Sequence, residues 1–388
     1  MPFRRRSAFA LPTICILAFL KACLVIGTVR GQAPAADSRS TIVTGQTPKA
    51  QTPKEPGQPP ASREAVARSL ALLERAARHY PRHRDCFACH HQSFPMLVQV
   101  EGKRIGLRPD EPTRQAIARF TRDWFSQRQN DLRAGRAIDG RAITVAYGLW
   151  TLEMAEIDAA DVNDAVTKTP VTEAMVEYLL QVQRADGAWE PEAHRPPAEE
   201  SQAFVTALAL RGLRRVATTR RALNAADRAF EWLSVNAAAA IESQSVDEQA
   251  GHLLSYAWRS DRFPGERTAF RQERIKEWSE RLVKLQRGDG GWSQRSGMES
   301  DPYATGLALW SLAESGFDAH SEPYQRGAVY LRSWQAADGS WHTRSRCEPF
   351  QPYFDNGDPY GRDQFLSLMA TAWAAAALAR TENAGDDD

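Results

Sequence analysis

Two kinds of apolar pattern alternate along most of the chain. In the first, apolar residues return every three or four positions and leave one polar face, as at 173–183, 274–286 and 325–335. Helices so patterned have one wet side. In the second, small and apolar residues fill nearly every position, as at 202–213, 303–312 and 365–378. That suits a helix buried all round. Weaker copies pair 228–236 with 249–258, 112–127 with 143–154, and 63–79 with 90–100. The pattern therefore predicts an all-α fold of six hairpins, the number that closes a double ring of outer and inner helices.

Three turns between the paired segments share one motif: Gln183-Arg-Ala-Asp186-Gly187-Ala-Trp189, Gln286-Arg-Gly-Asp289-Gly290-Gly-Trp292 and Gln335-Ala-Ala-Asp338-Gly339-Ser-Trp341. Their glutamines lie 286 − 183 = 103 and 335 − 286 = 49 residues apart, which fits a repeat of about fifty residues with one degenerate copy between. Asp-Gly is expected to end each outer helix, because glycine enters the left-handed region without a Cβ penalty.

With these residues in view, the chain resembles the α/α-toroids of squalene and hopene cyclases and of protein prenyltransferase β-subunits. Arg326-Gly-Ala-Val-Tyr-Leu331 through Gln335, Gly339 and Trp341 matches the cyclases' Gln-Trp repeat at each defined position. Arg228 to Leu233 keeps only the first half, and Met175 and Trp278 stand where the family has a small residue. The resemblance covers residues 62–380 and implies that the glutamines and tryptophans tie neighbouring hairpins together. It also implies a central cavity for an isoprenoid chain. The chemistry does not carry over residue by residue. The cyclases' Asp-x-Asp-Asp acid motif is missing, its nearest strings being Val246-Asp-Glu-Gln249 and Asp355-Asn-Gly-Asp358. Glu299-Ser-Asp-Pro-Tyr303 occupies the place of the prenyltransferases' zinc ligands but contains no cysteine.

Composition alters the picture mainly at the ends. The chain has 388 residues, 43% hydrophobic, and a net charge of +1, which leaves no cationic excess for a nucleic-acid partner. Arg4, Arg5 and Arg6 precede an apolar stretch at 8–20 that resumes at 22–29 after Lys21, with Gly31 and Ala33 beyond. Residues 1–33 thus read as a signal peptide cut near Ala33, or as an uncleaved anchor giving membrane attachment. Either implies export to the periplasm, free or anchored. Residues 34–61, rich in Pro, Gln, Thr and Ala, read as a disordered linker, and 381–388 as an acidic tail.

Two groups of residues carry candidate chemistry. Cys86-Phe-Ala-Cys89-His90 has the spacing of c-type haem attachment, in which both thiols add to haem vinyl groups and the histidine ligates iron. Cys86 and Cys89 also suit a redox disulfide, two buried small residues, or zinc or another metal held with His90 or His91. In a closed six-hairpin ring the first and last units are neighbours, which would bring Cys347 and His342 near Cys86. The second group is a set of polar residues at inner-helix starts: Asp139, Glu199, Glu200, Asp247, Glu248, Asp301 and Asp363. Carboxylates there cap helices. Asp355, Asp358 and Asp363 are the catalytic candidates, since they lie in an aromatic, glycine-rich loop longer than a hairpin requires. The resulting expectation is an exported toroid that binds an apolar, isoprenoid-like small molecule, carries haem c or a metal, and serves a redox partner. The alternative is an isoprenoid-converting enzyme.

Overall fold

The computed structural model describes residues 60–136, 138–156, 169–191, 195–214, 219–259, 268–348, 354–355 and 357–382. The expected signal segment and most of the linker and acidic tail lie outside them. Every described element is helical. Six outer helices are α1 (Ser62–His79), α3 (Glu111–Gln127), α6 (Pro170–Val182), α8 (Arg220–Val235), α11 (Thr268–Lys284) and α13 (Glu322–Trp334). Six inner helices are α2 (Ser93–Arg104), α5 (Arg141–Glu156), α7 (Gln202–Leu213), α10 (Val246–Ala257), α12 (Pro302–Glu314) and α14 (Gln364–Ala379). Short α4 (Gln129–Arg133) and α9 (Ala237–Ser243) follow α3 and α8. Among the described residues, no helix is long and apolar enough to cross a membrane.

Inner helices touch in the order α2, α5, α7, α10, α12, α14 and back to α2, so the ring is closed. The three motif turns explain how. Each tryptophan indole donates to a carbonyl of the outer helix just completed: Trp189 to Leu179 at 2.8 Å, Trp292 to Leu282 at 2.7 Å, Trp341 to Leu331 at 2.7 Å. Its backbone N–H meets a threonine of the inner helix that follows, Thr206, Thr305 or Thr371. Each glutamine amide instead reaches onward to the next outer helix. Gln183 donates to Ala225 O at 2.7 Å, Gln286 to Pro323 O at 2.8 Å, and Gln335 to Ala65 O at 2.8 Å. The last of these returns to α1 and closes the circle. The tryptophan thus welds its own hairpin, and only the glutamine joins neighbours, which refines the expectation that both do.

The outer helices end before Asp-Gly, not on it. Gln183 and Gln335 already have extended backbone, and Gly187, Gly290 and Gly339 close a reverse turn three residues beyond Arg184, Arg287 and Ala336. Extension at the glutamine is what aims its side chain across the interface. The glycines have φ of 100°, 88° and 91°, and a Cβ on each would strike Arg228, Arg326 or Arg68 of the next outer helix. Arg68 therefore takes the place of Arg228 and Arg326 in the first hairpin, which lacks the turn motif.

The axis is filled. Trp150, Trp258, Trp310 and Trp373 meet with ring centroids 4.8 to 6.2 Å apart, and Arg211 from α7 lies over Trp150 and Trp258 at 5.4 and 4.9 Å. Arg211 binds Glu153 at 3.0 Å and Glu314 at 3.6 Å, and Arg380 joins Glu314 to Glu101. Inner-helix C-termini thus meet over an aromatic plug and a buried ionic network. An open apolar channel for an isoprenoid is not formed at this level.

Candidate functional site

The first hairpin turn holds the cysteine motif. Cys86 Sγ lies 3.1 Å from Tyr80 Oη, and Cys89 Sγ lies 3.9 Å from His90 Nδ1. Burial, reinforced by Glu199, pushes the Cys89 thiol up to about 12. Burial and Arg195 push His90 down to about 3, so its imidazole is neutral. His91 is fully buried and stacks on Tyr80 at 4.2 Å, while Phe365 covers His90 at 4.5 Å. Cys347 turns to its own neighbourhood, its Sγ donating to Glu348 O at 3.1 Å. Among the described residues no three His, Cys, Asp or Glu side chains are grouped to hold a metal. The ring joins its ends as expected, yet Cys347 does not complete a zinc site with Cys86, Cys89, His90 and His91.

The three loop aspartates have separate partners, although Asp358 and Asp363 lie within electrostatic reach of each other. Asp355 is exposed and accepts from Gly357 N at 2.9 Å, a local turn. Asp358 is buried, accepts from Tyr360 N at 2.9 Å, and is held well above the ordinary range by burial. Asp363 receives His342 Nε2 at 2.9 Å and Ser345 N at 2.9 Å. Burial would raise its carboxyl, but these bonds outweigh it and the net shift is downward.

A different set meets at the opposite end of the ring from the tryptophan plug, where inner helices begin. Two of the rim carboxylates serve backbone N–H groups at helix starts. Asp301 accepts from Tyr303 N at 3.0 Å and Ala304 N at 3.1 Å to cap α12. Glu248 reaches sideways to Gln202 N at 3.1 Å, at the start of α7. Asp139 is exposed. Asp247 does something else. Only 3% exposed, its Oδ1 accepts the Tyr303 hydroxyl at 2.8 Å, while Ser245 caps its helix. Burial raises its carboxyl to about 7; Tyr303 and Arg346 pull down, Glu248 and Asp301 push up. Asp301 is raised by burial to about 6. Tyr147 of α5 faces Asp247, Glu199 and Cys89, so α5, α10 and α12 all contribute to this mouth.

Arginines complete it. Arg346, on the extended segment after Trp341, donates Nε to Gln294 Oε1 at 2.8 Å and Nη2 to Glu200 Oε2 at 2.5 Å. Arg295 pairs with the other oxygen of Glu200. The sequence places Asp247 and Asp301 among rim carboxylates that either cap helices or act as an acid, without singling them out as the catalytic candidates, and it gives Tyr303 and Arg346 no role in a site. The available signal was Ser245-Val-Asp-Glu248: a capping serine already in place makes Asp247 superfluous as a cap.

No family model matches the chain, and no curated protein is similar to it. Solved structures are. An unsaturated glucuronyl hydrolase from Bacillus sp. GL1, responsible for the degradation of glycosaminoglycan, aligns with TM-score 0.54 and 13% identity over 83% of this chain and 97% of its own. An unsaturated glucuronyl hydrolase specific for heparin aligns with TM-score 0.52 and 11% identity over 82% of this chain and 96% of its own. The fold is an α/α-toroid. At such identities the likeness establishes the architecture, which is of the same general class as the terpenoid cyclases. It also corrects the functional expectation. The matched rings are glycosaminoglycan-type hydrolases, and the axis is plugged, so a haem- or metal-bearing electron carrier with an isoprenoid cavity is the wrong reading. An isoprenoid-converting enzyme falls with it.

Proposed function

We propose that the protein is a hydrolase of glycosidic bonds, working at the mouth of the ring with Asp247 as the proton donor. The observation that carries this is a buried carboxyl raised to about 7, bonded to a tyrosine hydroxyl and not used as a cap. A general acid works best with a pKa near the working pH. Tyr303 donates to Oδ1, which leaves the proton on Oδ2 for transfer to the bridging oxygen of the substrate. As that bond to the anomeric carbon breaks, water adds to the carbon and gives its proton to Asp301, ionised above about 6. Two carboxylates set apart by their surroundings thus take the acid and base roles. The toroid's likeness to glucuronyl hydrolases supports the same reaction class. Export through residues 1–33 would place the enzyme where extracellular glycans occur, and amino-terminal sequencing of the secreted protein tests it.

The test is sugar release from unsaturated and saturated glucuronide oligosaccharides. Asp247→Asn should lower kcat/KM by about 100-fold or more. The wild-type rate should fall as pH rises through about 7, where Asp247 loses its proton. Unchanged turnover in the variant would refute the assignment.

A further inference from the structure

Two guanidinium groups share one carboxylate at the mouth. Arg346 and Arg295 each take one oxygen of Glu200. Burial lowers Arg295 from its ordinary value, and repulsion from Arg346 lowers it further. Arg346 is fixed in place by Gln294, whose side chain is buried and whose carbonyl accepts Val246 N at the head of α10. That anchor holds the cation within electrostatic reach of Asp247, Asp301 and Tyr303. Arg295 is exposed and Arg346 part-buried, and the two cations share a single carboxylate, so the Glu200–Arg295–Arg346 cluster taken by itself carries a net positive charge.

We propose that Arg346 and Arg295 seat the carboxylate of an acidic sugar beside Asp247 and Asp301. The inference rests on the hydrolysis reading above. A guanidinium presents a planar fork that matches a carboxylate in two parallel hydrogen bonds. Seating one there also changes the acid. Asp247 faces Glu248 on its own helix, Asp301 and Tyr303 on α12, Tyr147 on α5, and Arg346. Arg346 is the cation in that set, and it favours the ionised form of Asp247. Pairing it with the substrate's carboxylate weakens that influence, so an acidic sugar shifts Asp247 further toward its protonated form than a neutral one does.

Binding is measured by calorimetry on the full chain carrying Asp247→Asn, which slows turnover of the ligand. The probes are a disaccharide ending in glucuronate and its methyl ester. The acid should bind about ten-fold or more tightly than the ester, and Arg346→Gln should erase the difference. Equal affinities, binding of neither probe, or a preference that survives Arg346→Gln would overturn the seat. Should Arg346→Gln fail to fold by circular dichroism, Arg346→Lys decides: it keeps the charge without the fork, so a weakened preference supports the seat and an undiminished one overturns it. Because the readout is binding, an intact preference in a protein that hydrolyses no glycoside sinks the hydrolase reading and leaves the seat standing.

Discussion

Asp247 and Asp301 both sit at helix starts, yet their oxygens have different work. Asp301 meets two backbone N–H groups and stabilises α12; Asp247 meets a side chain from the next inner helix. A carboxyl raised from 3.8 to about 7 is a liability in the folded state. Below 3.8 it is protonated whether folded or not and nothing is lost. Between 3.8 and about 7 the unfolded chain ionises first, so stability falls as pH rises and stays low above 7. Asp247→Asn removes that penalty. Its melting temperature should equal the wild type near pH 4 and exceed it at about pH 8, by an amount that reflects a few kcal/mol at most. A variant less stable than wild type at about pH 8 would mean the carboxyl is ionised and favourable where it lies. Legibility at this scale was partial. Ser245 marks Asp247 as redundant, but its partner Tyr303 lies 56 residues on, and nothing local announces a bond across that distance. The Cys-x-x-Cys-His spacing was plain, but spacing says nothing of how burial raises the Cys89 thiol.

Helices and turns were easier to read. All six hairpins lie where the periodicity places them, since one wet face or none is written continuously in the residues of each helix. The turns were legible because glutamine, glycine and tryptophan occupy fixed offsets and each meets a backbone group. What could not be read was the part of Arg68 in the first hairpin, where it takes the place of Arg228 and Arg326 without the motif around it. These turn glycines combine two demands that other positions separate. Gly290 has φ 88° and would place a Cβ 2.7 Å from Arg326 O; Gly316 has φ 86° and open space around it. Gly316→Ala should therefore cost about 1 kcal/mol of backbone strain alone. Gly290→Ala should cost roughly 2 kcal/mol more, because α13 must move away. Equal losses in a urea titration would show that the interface yields freely.

For the molecule as a whole, the two ends of the ring divide labour. Inner-helix C-termini are sealed by four tryptophans and the Glu101–Arg380–Glu314–Arg211–Glu153 chain, while the N-termini gather Asp247, Asp301, Tyr303, Arg295 and Arg346. On the proposed hydrolase reading, a substrate would reach Asp247 from the N-terminal end, above a floor of packed tryptophans and paired charges.

One contact at the margin of that floor has a consequence for how the gene could be rearranged. Thr381 Oγ1 donates to Ser62 Oγ at 2.9 Å, so the last described turn touches the first. A circle of like units has no natural beginning. Joining residue 62 to residue 381 by a short linker and opening the chain after Asp318, which is exposed, should yield a circular permutant that melts cooperatively, with unchanged helical content by circular dichroism. Failure to fold would mean that the ring depends on the order in which its hairpins are made.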